Sequence, residues 1–566
     1  MLIDIHDYHK SLSELFEDRS KFSKLNCDPT FTRLRTLRKY LKTIHKRNEI
    51  DEAQYNTMRP KHAKPARAHG LPKTHKPFEN LPKFRPIIDT VNSTHYNVGK
   101  FLTDLLNPLT LNDYTIKDSY DVAARIRQIP QQLLDEGYVF VSFDVTSLFT
   151  NVPLDRTINV ILNRIYKKGL IKTRLKKSTL KKLIKDTCTK TVFSCNDQLY
   201  EQINGVSMGS SMGPVLANII MTELESVIIT KLIDAGTIKF YGRYVDDTLL
   251  LVKPSDITKI HDLLNSFDPS IKFTVDKFDN EVPHFLDLEI SPDGLSIFRK
   301  DTNTGQYTNF DSYENWNYKT AWIKSLVTRA KRICSDHKLN QELSTIRQFA
   351  SWNSFPSSIS NALIKRTLNK TNTEKENKQT DKNETVIWLR MPYFGDQSTQ
   401  MVRSLEAKLR RCVRPDKKLI FKTTFSTTKI NFFTNNKDKT PNAYKANVVY
   451  RFCCPGCSAT YIGKTERNLH ERCEEHATKK DSAIYNHIMA CDDLLYLNRL
   501  MHLNIDDVSR KDKRSYFINL IENNTKIIDN ANNWSILLSK EALYIKRQKP
   551  ILNNGLKASR ELFLFS

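Results

Sequence analysis

The chain contains 566 residues, of which 39% are hydrophobic and 10% aromatic, so it has the material for two or three domains with real cores. A formal net charge of +25 favours a polyanionic partner, nucleic acid before membrane, although a basic protein without a specific partner would share that charge. We expect neither a membrane span nor a signal peptide, because the sequence shows no run of about eighteen apolar residues and no apolar leader core.

Two basic segments open the chain. Residues 1–60 are predicted to be helical, because leucines recur at helical spacing among lysines and arginines, as on a solvated helix face or in a nucleic-acid groove. Prolines then interrupt the segment from His69 to Ser93, which carries Lys73 and Arg85 among short extended pieces. Arg85 precedes an apolar pair and could direct its guanidinium at a phosphate, or the segment could be an ordinary basic loop.

A predicted strand and a glycine-rich loop carry further candidates. The apolar stretch from Tyr138 is predicted to be a strand ending at Asp144, and helical sequence follows over about residues 154–185. An isolated acid at a strand end is usually a cap or a turn residue. The glycines around Gly209 precede a helix predicted to start at about Val215, so this backbone could approach a nucleotide closely or could be only a connection.

The central motif of the sequence is FYGRYVDDTLLLV, residues 240–252. Aromatic and β-branched residues on both sides of two acids predict a β-hairpin with Asp246 and Asp247 at or near its tip. Adjacent carboxylates each raise the cost of ionising the other, and a divalent cation such as Mg²⁺ removes that cost. The same pattern also fits an acidic turn, because aspartate is a common turn residue.

Strand, helix and hairpin in this order can bring Asp144 and the two hairpin acids to one sheet edge, and three carboxylates around two Mg²⁺ ions are what in-line nucleotidyl transfer requires. The motifs FDVTSLF, SMGSSMGPVLANI and YVDD together resemble the palm of reverse transcriptases, and GLPKTHKP with FRPII resembles their fingers. The resemblance is closest to Penelope-like retroelements. It extends over about residues 60–300 and includes FLDLEI at residues 285–290.

This resemblance implies roles for the acids and for two cations. Asp144 and Asp246 would bind the catalytic metal ions, Mg²⁺ or Mn²⁺, and Asp247 would complete the acidic group. Arg85, and with it Lys73, would meet the incoming deoxynucleoside triphosphate.

Two residues of the palm would contribute to nucleotide binding. Phe149, five residues after Asp144, would exclude a ribose 2′-hydroxyl by steric clash, although it could also be an ordinary core aromatic. Gly209 would let the backbone of its loop approach the nucleotide. One departure from the family is an Asp-Lys-Gly motif that usually precedes the fingers and is not found here, which leaves the completeness of the N-terminus open.

The expected fold class is α+β, a right-hand-like reverse transcriptase followed by a small αβ nuclease domain. Fingers and palm would occupy residues 61–305, and a helical thumb at 306–366 would grip the primer–template duplex through its phosphates. An uncommitted helical bundle has the same sequence pattern. Residues 367–385 are predicted to be a polar linker because they contain almost no apolar side chain. The connector at 386–446 contains two strand-like pieces without an assigned role.

The C-terminal region, residues 447–566, resembles GIY-YIG nucleases. Two predicted strands flank a cysteine-bearing turn, and a helix follows with Arg472 and His476 on one face. The stretch beginning at Tyr461 matches YIG, whereas Val-Val-Tyr, ending at Tyr450, stands where GIY is expected and lacks its glycine.

The resemblance to these nucleases also extends to chemistry. Glu541, on a downstream helix, would hold a single divalent metal ion beside the scissile phosphate, and Asn553 follows a proline as in the family. Tyr450 would help to activate water, directly or through Tyr461, and Arg472 would neutralise charge on the phosphate. The resemblance includes His476 in this catalytic set. A small basic domain that only grips DNA is the alternative.

Five of the ten cysteines fall within residues 453–491, which favours a metal site in a reducing compartment over a disulfide framework. Cys454 and Cys457 have the spacing of zinc ligands, and His487 with Cys491 could complete a tetrahedral Zn²⁺ set. Other potential ligands are Cys453, Cys473, His470 and His476.

Together these parts predict a retroelement protein that nicks chromosomal DNA and uses the resulting 3′-hydroxyl to prime copying of an RNA template, which implies a nuclear location. Its partners would be RNA template, DNA primer, target DNA and deoxynucleoside triphosphates, without a membrane. One alternative is a telomerase-like or domesticated polymerase with an inactive nuclease. Another is a nucleic-acid-binding protein with dead sites, which the intact acids at Asp144, Asp246 and Asp247 argue against.

Overall fold

The computed structural model of this chain describes residues 3–74, 78, 81–276, 282–291, 293–369, 384–411, 418–426, 437–494 and 510–553. Within these ranges, five separate sheets and the helices around them form a mixed α and β architecture. Most of the polar linker predicted at 367–385 lies outside the described residues.

The N-terminal part consists of α1 (Ile5–Phe16), β1 (Phe22–Leu25), α2 (Thr30–Lys46), α3 (Glu52–Met58), β2 (Ala66–Pro72) and β3 (Phe84–Asp89). The leucines of α2 recur every three or four residues and are buried, as the amphipathic pattern predicts. A capping box formed by Asp51 and Gln54 starts α3. Strand β1 interrupts the region predicted to be helical, because Phe22 packs in an aromatic cluster with Phe16 and Phe193.

The central part consists of α4 (Tyr96–Leu106), α5 (Ser119–Ile126), α6 (Gln131–Asp135), β4 (Val139–Val145), α7 (Leu148–Asn151), α8 (Leu154–Tyr166), α9 (Lys177–Thr189), β5 (Val192–Cys195), β6 (Gln198–Gln202), α10 (Met212–Leu224), α11 (Thr230–Asp234), β7 (Ile238–Tyr244), β8 (Asp247–Val252), α12 (Ile257–Ser266) and β9 (Phe273–Asp276). One sheet has the strand order β1-β6-β5-β2-β3, and a second, antiparallel sheet has the order β7-β8-β4-β9. The helical stretch predicted at about 154–185 is thus two helices, α8 and α9.

A long apolar helix supports the second sheet from behind. It begins three residues earlier than predicted, at Met212, and a single π-helical turn at Glu225–Ile229 joins α10 to α11. By length and composition alone this stretch, Met212–Asp234, could cross a membrane, but 67% of its most apolar window is buried inside the protein. That burial is typical of a core helix. Among the described residues, the main hydrophobic cluster includes nine residues of α10 and its π-helical turn, Met212, Val215, Leu216, Ala217, Ile219, Ile220, Met221, Leu224 and Ile229, and Ile228 packs against it.

The next part contains β10 (His284–Phe285), β11 (Leu288–Ser291), β12 (Gly294–Ile297), α13 (Trp316–Ile333), α14 (Asp336–Trp352) and α15 (Ser357–Leu368). The three helices share one core with β10–β12, in which Ile323, Val327 and Ile346 are fully buried. The connector forms β13 (Glu384–Pro392), α16 (Asp396–Arg411) and β14 (Lys418–Ser426), with the two strands parallel. Both strand-like pieces predicted in the connector are therefore strands, joined by a crossover helix.

The C-terminal part contains β15 (Val448–Cys453), β16 (Thr460–Thr465), α17 (Leu469–Thr478), α18 (Ala483–Ala490), α19 (Arg510–Asn523), β17 (Thr525–Asn530) and α20 (Trp534–Gln548). Its three-stranded sheet has the order β16-β15-β17 and is antiparallel. The predicted pair of strands around the cysteine-bearing turn and the helix after it are confirmed.

Candidate active sites

The YVDD motif forms the hairpin that its sequence predicts. Tyr244, the last residue of β7, pairs with Asp247, the first residue of β8, so Val245 and Asp246 are the two turn residues. Val245 has a left-handed backbone with φ of 59°, which costs a β-branched residue roughly 1–3 kcal/mol. The turn therefore has to be held in this conformation by its surroundings.

A buried ion pair beneath the hairpin provides that support. Arg243 and Glu225 are both fully buried, and Arg243 Nε donates to Glu225 Oε1 at 2.5 Å. Another nitrogen of the Arg243 guanidinium donates to Asn218 Oδ1 at 2.7 Å and to the carbonyl of Val245 at 3.2 Å. Tyr241 adds a hydroxyl donor to Glu225 Oε1 at 3.2 Å. The network thus ties the strained turn to the π-helical segment of the core helix.

The register of the antiparallel sheet brings Asp144 to the hairpin acids. Asp144 of β4 lies directly opposite Asp247 of β8, and β4 is the central neighbour of both β8 and β9. The Asp144 side chain is exposed, whereas those of Asp246 and Asp247 are half-buried. Asp144, Asp246 and Asp247 therefore lie together at one end of the two central strands of the sheet, as the sequence predicted. This end of the sheet is called the acidic edge below.

The electrostatics of this edge are those of an acid cluster. Burial raises the pKa of Asp247 to about 6, and the charges of Asp246 and Asp144 add to that increase. Burial also raises the pKa of Asp246, while the guanidinium of Arg85 opposes the increase. Repulsion and burial that penalise three carboxylates together are relieved by cations, so the donor set fits hard divalent ions such as Mg²⁺.

Within the described part of the chain, the Cys/His group of the C-terminal region is the one set of three or more potential ligands whose atoms all lie within 4.8 Å of one another. The three aspartates do not form a set as compact as that.

The two cations that were predicted to bind nucleotide lie together. Lys73 and Arg85 line a cavity of about 560 Å³, which also includes Ser147 and Thr150 just beyond the end of β4. Lys73 and Lys83 are joined by a backbone hydrogen bond of 2.9 Å across the β2–β3 hairpin. The lining combines four cations, Lys21, Lys73, Lys83 and Arg85, with the carboxylates of Glu14 and Asp18. The charge of Arg85 also reaches Asp246, so the cavity lies near the three acids.

Phe149 and Gly209 are the sequence neighbours of two residues that line this cavity, Thr150 and Met208. Phe149 is half-buried, packs against the main core, and its carbonyl accepts a hydrogen bond from Val206 at 2.9 Å. Gly209 has φ of +104°, and a Cβ there would lie 2.4 Å from the carbonyl oxygen of Ile88. Its close approach is to the backbone of β3, so this glycine fastens the loop to the finger strands.

The predicted residues of the C-terminal site also converge. Tyr450 of β15 is fully buried, and its hydroxyl shares a hydrogen bond of 2.7 Å with His476 Nε2 and accepts one of 3.1 Å from Arg472 Nε. The ring of Tyr461 lies 5.4 Å from that of His476. His476 Nδ1 bonds the hydroxyl of Ser482 at 2.7 Å. A tyrosine, a histidine and an arginine thus form one hydrogen-bonded cluster.

Burial determines the protonation of this cluster. Burial raises the pKa of Tyr450 far above its ordinary range, and it lowers the pKa of His476 to about 3. The phenol and the imidazole are therefore both neutral near pH 7. Burial tends to lower the pKa of Arg472, but the phenols and Glu475 more than compensate, so this guanidinium stays charged.

Glu541 and Asn553 lie beside the cluster. Burial raises the pKa of Glu541, and the ammonium of Lys464, 3.6 Å away, opposes the increase. Burial raises the pKa of Tyr461 and the Glu541 charge adds to the increase, so these side chains are close enough to interact. Both polar atoms of the Asn553 side chain bond the backbone of Ile462, at 2.9 and 2.8 Å. Asn553 therefore fixes the strand that carries Tyr461.

Close packing of two tyrosines explains why glycine occupies the last position of the YIG sequence. Gly463 pairs with Tyr450 across β15 and β16, and a Cβ at Gly463 would lie 2.6 Å from the Tyr450 hydroxyl and 2.8 Å from the ring of Tyr461. Only a residue without a side chain lets both tyrosines approach at this position.

The cysteine-bearing turn forms a compact ligand group. Cys454, Cys457, His487 and Cys491 place their ligand atoms within 4.8 Å of one another. Cys454 and Cys491 are 3.9 Å apart at their sulfurs, and Cys457 Sγ is 3.3 Å from His487 Nε2. Three sulfurs and one imidazole are a donor set that fits tetrahedral Zn²⁺.

The other potential ligands have different partners. Cys473 is fully buried in the apolar core of this region, and His470 bonds Glu522 at 3.1 Å. His476 belongs to the tyrosine cluster, and Cys453 points its sulfur at the carbonyl of Ser458, 3.7 Å away. The geometry therefore favours the predicted set over its rivals.

Sequence reasoning missed several supporting residues. Arg243 lies inside an apolar strand, and such a residue signals a buried partner, but nothing nearby in the sequence identifies Glu225 as that partner. Lys464 and Ser482 were also not predicted, because isolated polar residues carry no spacing signal. Their roles depend on contacts between elements distant in the sequence.

Comparison with known families identifies the central part of the chain. Residues 71–273 match the family model of reverse transcriptase (RNA-dependent DNA polymerase), so this part is a reverse transcriptase domain. Residues 306–365 match the model of an animal helix-turn-helix domain and cover α13, α14 and most of α15. No curated protein matches the chain.

Telomerases are among the solved structures to which this chain is similar. Telomerase from Candida albicans, in complex with a TWJ fragment of telomeric RNA, is 13% identical with a TM-score of 0.41, covering 64% of this chain and 64% of that one. The corresponding Candida tropicalis complex is 13% identical with a TM-score of 0.38, covering 64% and 58%. The BmCPV RNA-dependent RNA polymerase at its elongation state is 11% identical with a TM-score of 0.33, covering 61% and 32%. This chain therefore spans less than two thirds of their length.

Proposed function

We propose that this chain is an RNA-directed DNA polymerase of the Penelope-like retroelement type with a C-terminal GIY-YIG-type DNA endonuclease. The endonuclease nicks target DNA, and the 3′-hydroxyl so formed primes copying of an RNA template by the polymerase. The observation that carries the proposal is the register that sets Asp144 opposite Asp247 beside Asp246, within the matched reverse transcriptase domain. Action on chromosomal DNA implies a nuclear location.

In the polymerase, Asp144, Asp246 and Asp247 would hold two divalent ions, which when bound supply activation of the 3′-hydroxyl and stabilisation of the leaving pyrophosphate. Side chains of the chain itself bind the nucleotide. Arg85 and Lys73, in their shared cavity, bind and orient the triphosphate.

Two other parts of the polymerase determine which nucleotide sugar is accepted and how rigidly the hairpin acids are held. Phe149, half-buried against the core, limits the space beside the sugar and so favours deoxynucleotides. The Arg243–Glu225 pair keeps the hairpin acids rigid.

In the nuclease, Glu541 would hold one divalent ion, which when bound supplies stabilisation of the charge on the scissile phosphate. Tyr450 would help to activate the attacking water, and its hydroxyl is held between His476 Nε2 at 2.7 Å and Arg472 Nε at 3.1 Å. Ser482, bonded to His476 Nδ1, holds the imidazole in position. Arg472 directs its positive charge at the same hydroxyl and at the phosphate beside it.

The proposal is tested by separating the two activities. Asp246→Ala should abolish primer extension on an RNA template and leave nicking of duplex DNA intact, whereas Arg472→Ala should do the reverse. The matched control for Asp246→Ala is Asp135→Ala, at an exposed acid of α6. The matched control for Arg472→Ala is Arg451→Ala, whose guanidinium donates to Gln548 at 3.5 Å and not to the tyrosine cluster. Both controls should retain both activities.

Results that differ from these expectations distinguish the alternative functions. If both Asp246→Ala and Arg472→Ala leave both activities intact, the assigned residues are wrong. Extension without any nicking by the unaltered chain indicates a polymerase with an inactive nuclease. Salt-sensitive binding without nucleotide incorporation in Mg²⁺ or Mn²⁺ indicates a non-catalytic nucleic-acid-binding protein.

A further inference from the structure

The N-terminal helices pack directly on the C-terminal domain. Arg38 of α2 donates to Glu471 of α17 at 2.6 Å, and its Nε donates to the carbonyl of Pro60 at 3.0 Å. The fully buried side chain of Asn468 makes two hydrogen bonds with the backbone of Ala63, at 3.0 and 2.8 Å. Buried, doubly bonded contacts of this kind fix the orientation of two surfaces relative to each other.

Aromatic stacking reinforces the same contact. The ring of Phe31, at the start of α2, lies parallel to those of Tyr444 and His470, with centroids 5.0 and 4.3 Å away. Arg35 forms an ion pair with Glu474 one turn further along the helix. The N-terminal region and the candidate nuclease therefore form a continuous surface.

A cavity of about 580 Å³ lies along this contact and is strongly basic. Two of its cations come from the end of α3 and the segment after it, and three come from β16 and the start of α17. The lining contains six cations, Arg38, Arg59, Lys61, Lys464, Arg467 and Arg472, and one carboxylate, Glu466. Four of the cations are paired with carboxylates behind the lining, Arg38 with Glu471, Lys464 with Glu541, and Arg467 and Arg472 with Glu475. Arg59 and Lys61, the latter 3.9 Å from Glu466, are the cations that these carboxylates leave for a ligand. Small-molecule pockets are mostly apolar, so this lining indicates a polyanion instead.

The cavity reaches the candidate nuclease site. Arg472, which bonds the Tyr450 hydroxyl, and Lys464, which pairs with Glu541, both contribute to its lining. On the other side, Arg59 is exposed and the Lys61 side chain is 75% exposed. A polyanion that placed one phosphate at Arg472 could thus place further phosphates at Arg59 and Lys61.

An aromatic platform completes the cavity. The ring of Trp534, at the start of α20, is 52% exposed and carries the ammonium of Lys464 at 5.6 Å from its centroid. Exposed aromatic rings among cations stack on bases, and cations alone meet phosphates, so the combination is suited to a nucleic-acid strand with accessible bases.

We infer that this cavity holds the DNA strand that the nuclease cuts, and that Arg59 and Lys61 of the N-terminal region bind its phosphates next to the cleavage site. The inference rests on the proposed nuclease function, because Arg472 links the cavity to the cutting chemistry. It assigns a role in target binding to a region that lies before the matched reverse transcriptase domain.

The test is the double variant Arg59→Glu/Lys61→Glu in the full chain. Binding of a fluorescein-labelled DNA duplex carrying a single-stranded flap should weaken at least about tenfold, and the slope of log affinity against log salt should fall by about two, one for each lost phosphate contact. Primer extension on an RNA template should stay unchanged. The matched control is Lys167→Glu/Lys168→Glu, two exposed lysines at the end of α8 that do not line the cavity.

The outcomes separate this inference from the proposed function. Unaltered DNA affinity and salt slope in the Arg59/Lys61 variant would overturn the inference, as would weakened binding of the RNA template with DNA binding intact. If DNA binding weakens as expected but the unaltered chain nicks no substrate, the surface stands and the nuclease proposal fails. If charge reversal also impairs extension, the milder Arg59→Gln/Lys61→Gln variant decides, with a smaller loss of affinity expected.

Discussion

The two candidate active sites of this chain are built on opposite principles. The acidic edge of the central sheet gathers three carboxylates that destabilise one another, as the raised pKa of Asp247, at about 6, indicates. The C-terminal cluster instead pairs each of its groups within the protein, from Tyr450 through His476 to Ser482. One site is completed by what binds to it, and the other is already organised without a ligand.

The difference shows where each site depends on the rest of the fold. The acidic edge gets its geometry from strand register and from the ion pair of Arg243 and Glu225 below it, since its own side chains repel. The tyrosine cluster gets its geometry from close packing, at Gly463 above all, and from the small domain around it. Perturbing these supports should therefore affect the two activities separately.

The largest effect is expected at the Cys/His group. Cys491→Ser should remove one ligand from the group, and because metal-binding energy in small domains is folding energy, the C-terminal domain should lose roughly 4 kcal/mol or more of stability. Nicking should become undetectable, and bound zinc should fall from about one ion per chain to near zero by mass spectrometry.

The neighbouring cysteine provides the control for that experiment. Cys453 lies outside the ligand group, so Cys453→Ser should keep both zinc and nicking. Primer extension should persist in both variants, because the polymerase core is separate. Loss of extension together with nicking in Cys491→Ser would show that the two regions are not independent.

The next effect is a fall of about 3–5 kcal/mol in the free energy of unfolding of the central domain, expected from Arg243→Met. This substitution leaves the charge of Glu225 buried without its partner. Chemical denaturation followed by a probe in the central domain measures this fall. The hairpin should lose its support, so extension should also fall, while nicking by the native fraction should not change.

The double variant Arg243→Met/Glu225→Leu tests the cause. It removes both charges, so much of the stability should return, as replacements of buried ion pairs by apolar residues often show. Extension should remain low, because the carbonyl of Val245 still lacks its donor. Equal stability of the single and double variants would mean that the buried charge is not the origin of the loss.

A moderate effect is expected from Gly463→Ala. The added methyl group would lie 2.6 Å from the Tyr450 hydroxyl, so one of the two strands must shift. A displacement of about 1 Å at a reacting group costs on the order of a hundredfold in rate, which is the expected loss of nicking. Extension measured on the same preparation is the control, and an unchanged nicking rate would exclude Tyr450 as a positioned catalytic group.

The sequence predicted the elements that carry chemistry better than those that support them. Strand alternation and the turn before Asp247 identified the hairpin, and helical spacing identified α17 with Arg472 and His476. These signals are local, since they depend on neighbours in the sequence. The strand β1 inside the predicted helical region was missed, because Phe22 is buried by partners such as Phe193, far along the chain.

The supports were not predictable for the same reason. Glu225 is buried only because a π-helical turn directs it at Arg243, and no residue pattern near Glu225 signals such a turn. The packing of Gly463 against Tyr450 depends on the register of β15 and β16. The contact between Asn468 and Ala63 joins segments 405 residues apart, for which a single sequence holds no signal.

The smallest expected effect is the contribution of Asp247 to stability, which falls as the pH rises. The folded pKa of Asp247, about 6, lies above its unfolded value of about 3.9, so between these values the folded state holds a proton that the unfolded state has released. Stability from this group is therefore present at low pH and is lost as the pH rises through 6. Asp247→Asn should then stabilise the central domain at pH 8, by about 2–4 °C after allowance for solvent screening, but not at pH 4.

The same substitution sharpens the contrast between the two sites. Added Mg²⁺ should raise the melting temperature of the unaltered chain, because an ion that binds the folded state stabilises it, and should do so much less in Asp247→Asn. Asp135→Asn, at an exposed acid of α6, should behave like the unaltered chain in both measurements. If Asp247→Asn instead lowers the melting temperature at pH 8, the three acids do not repel one another in the folded protein, and the acidic edge is organised in advance like the tyrosine cluster.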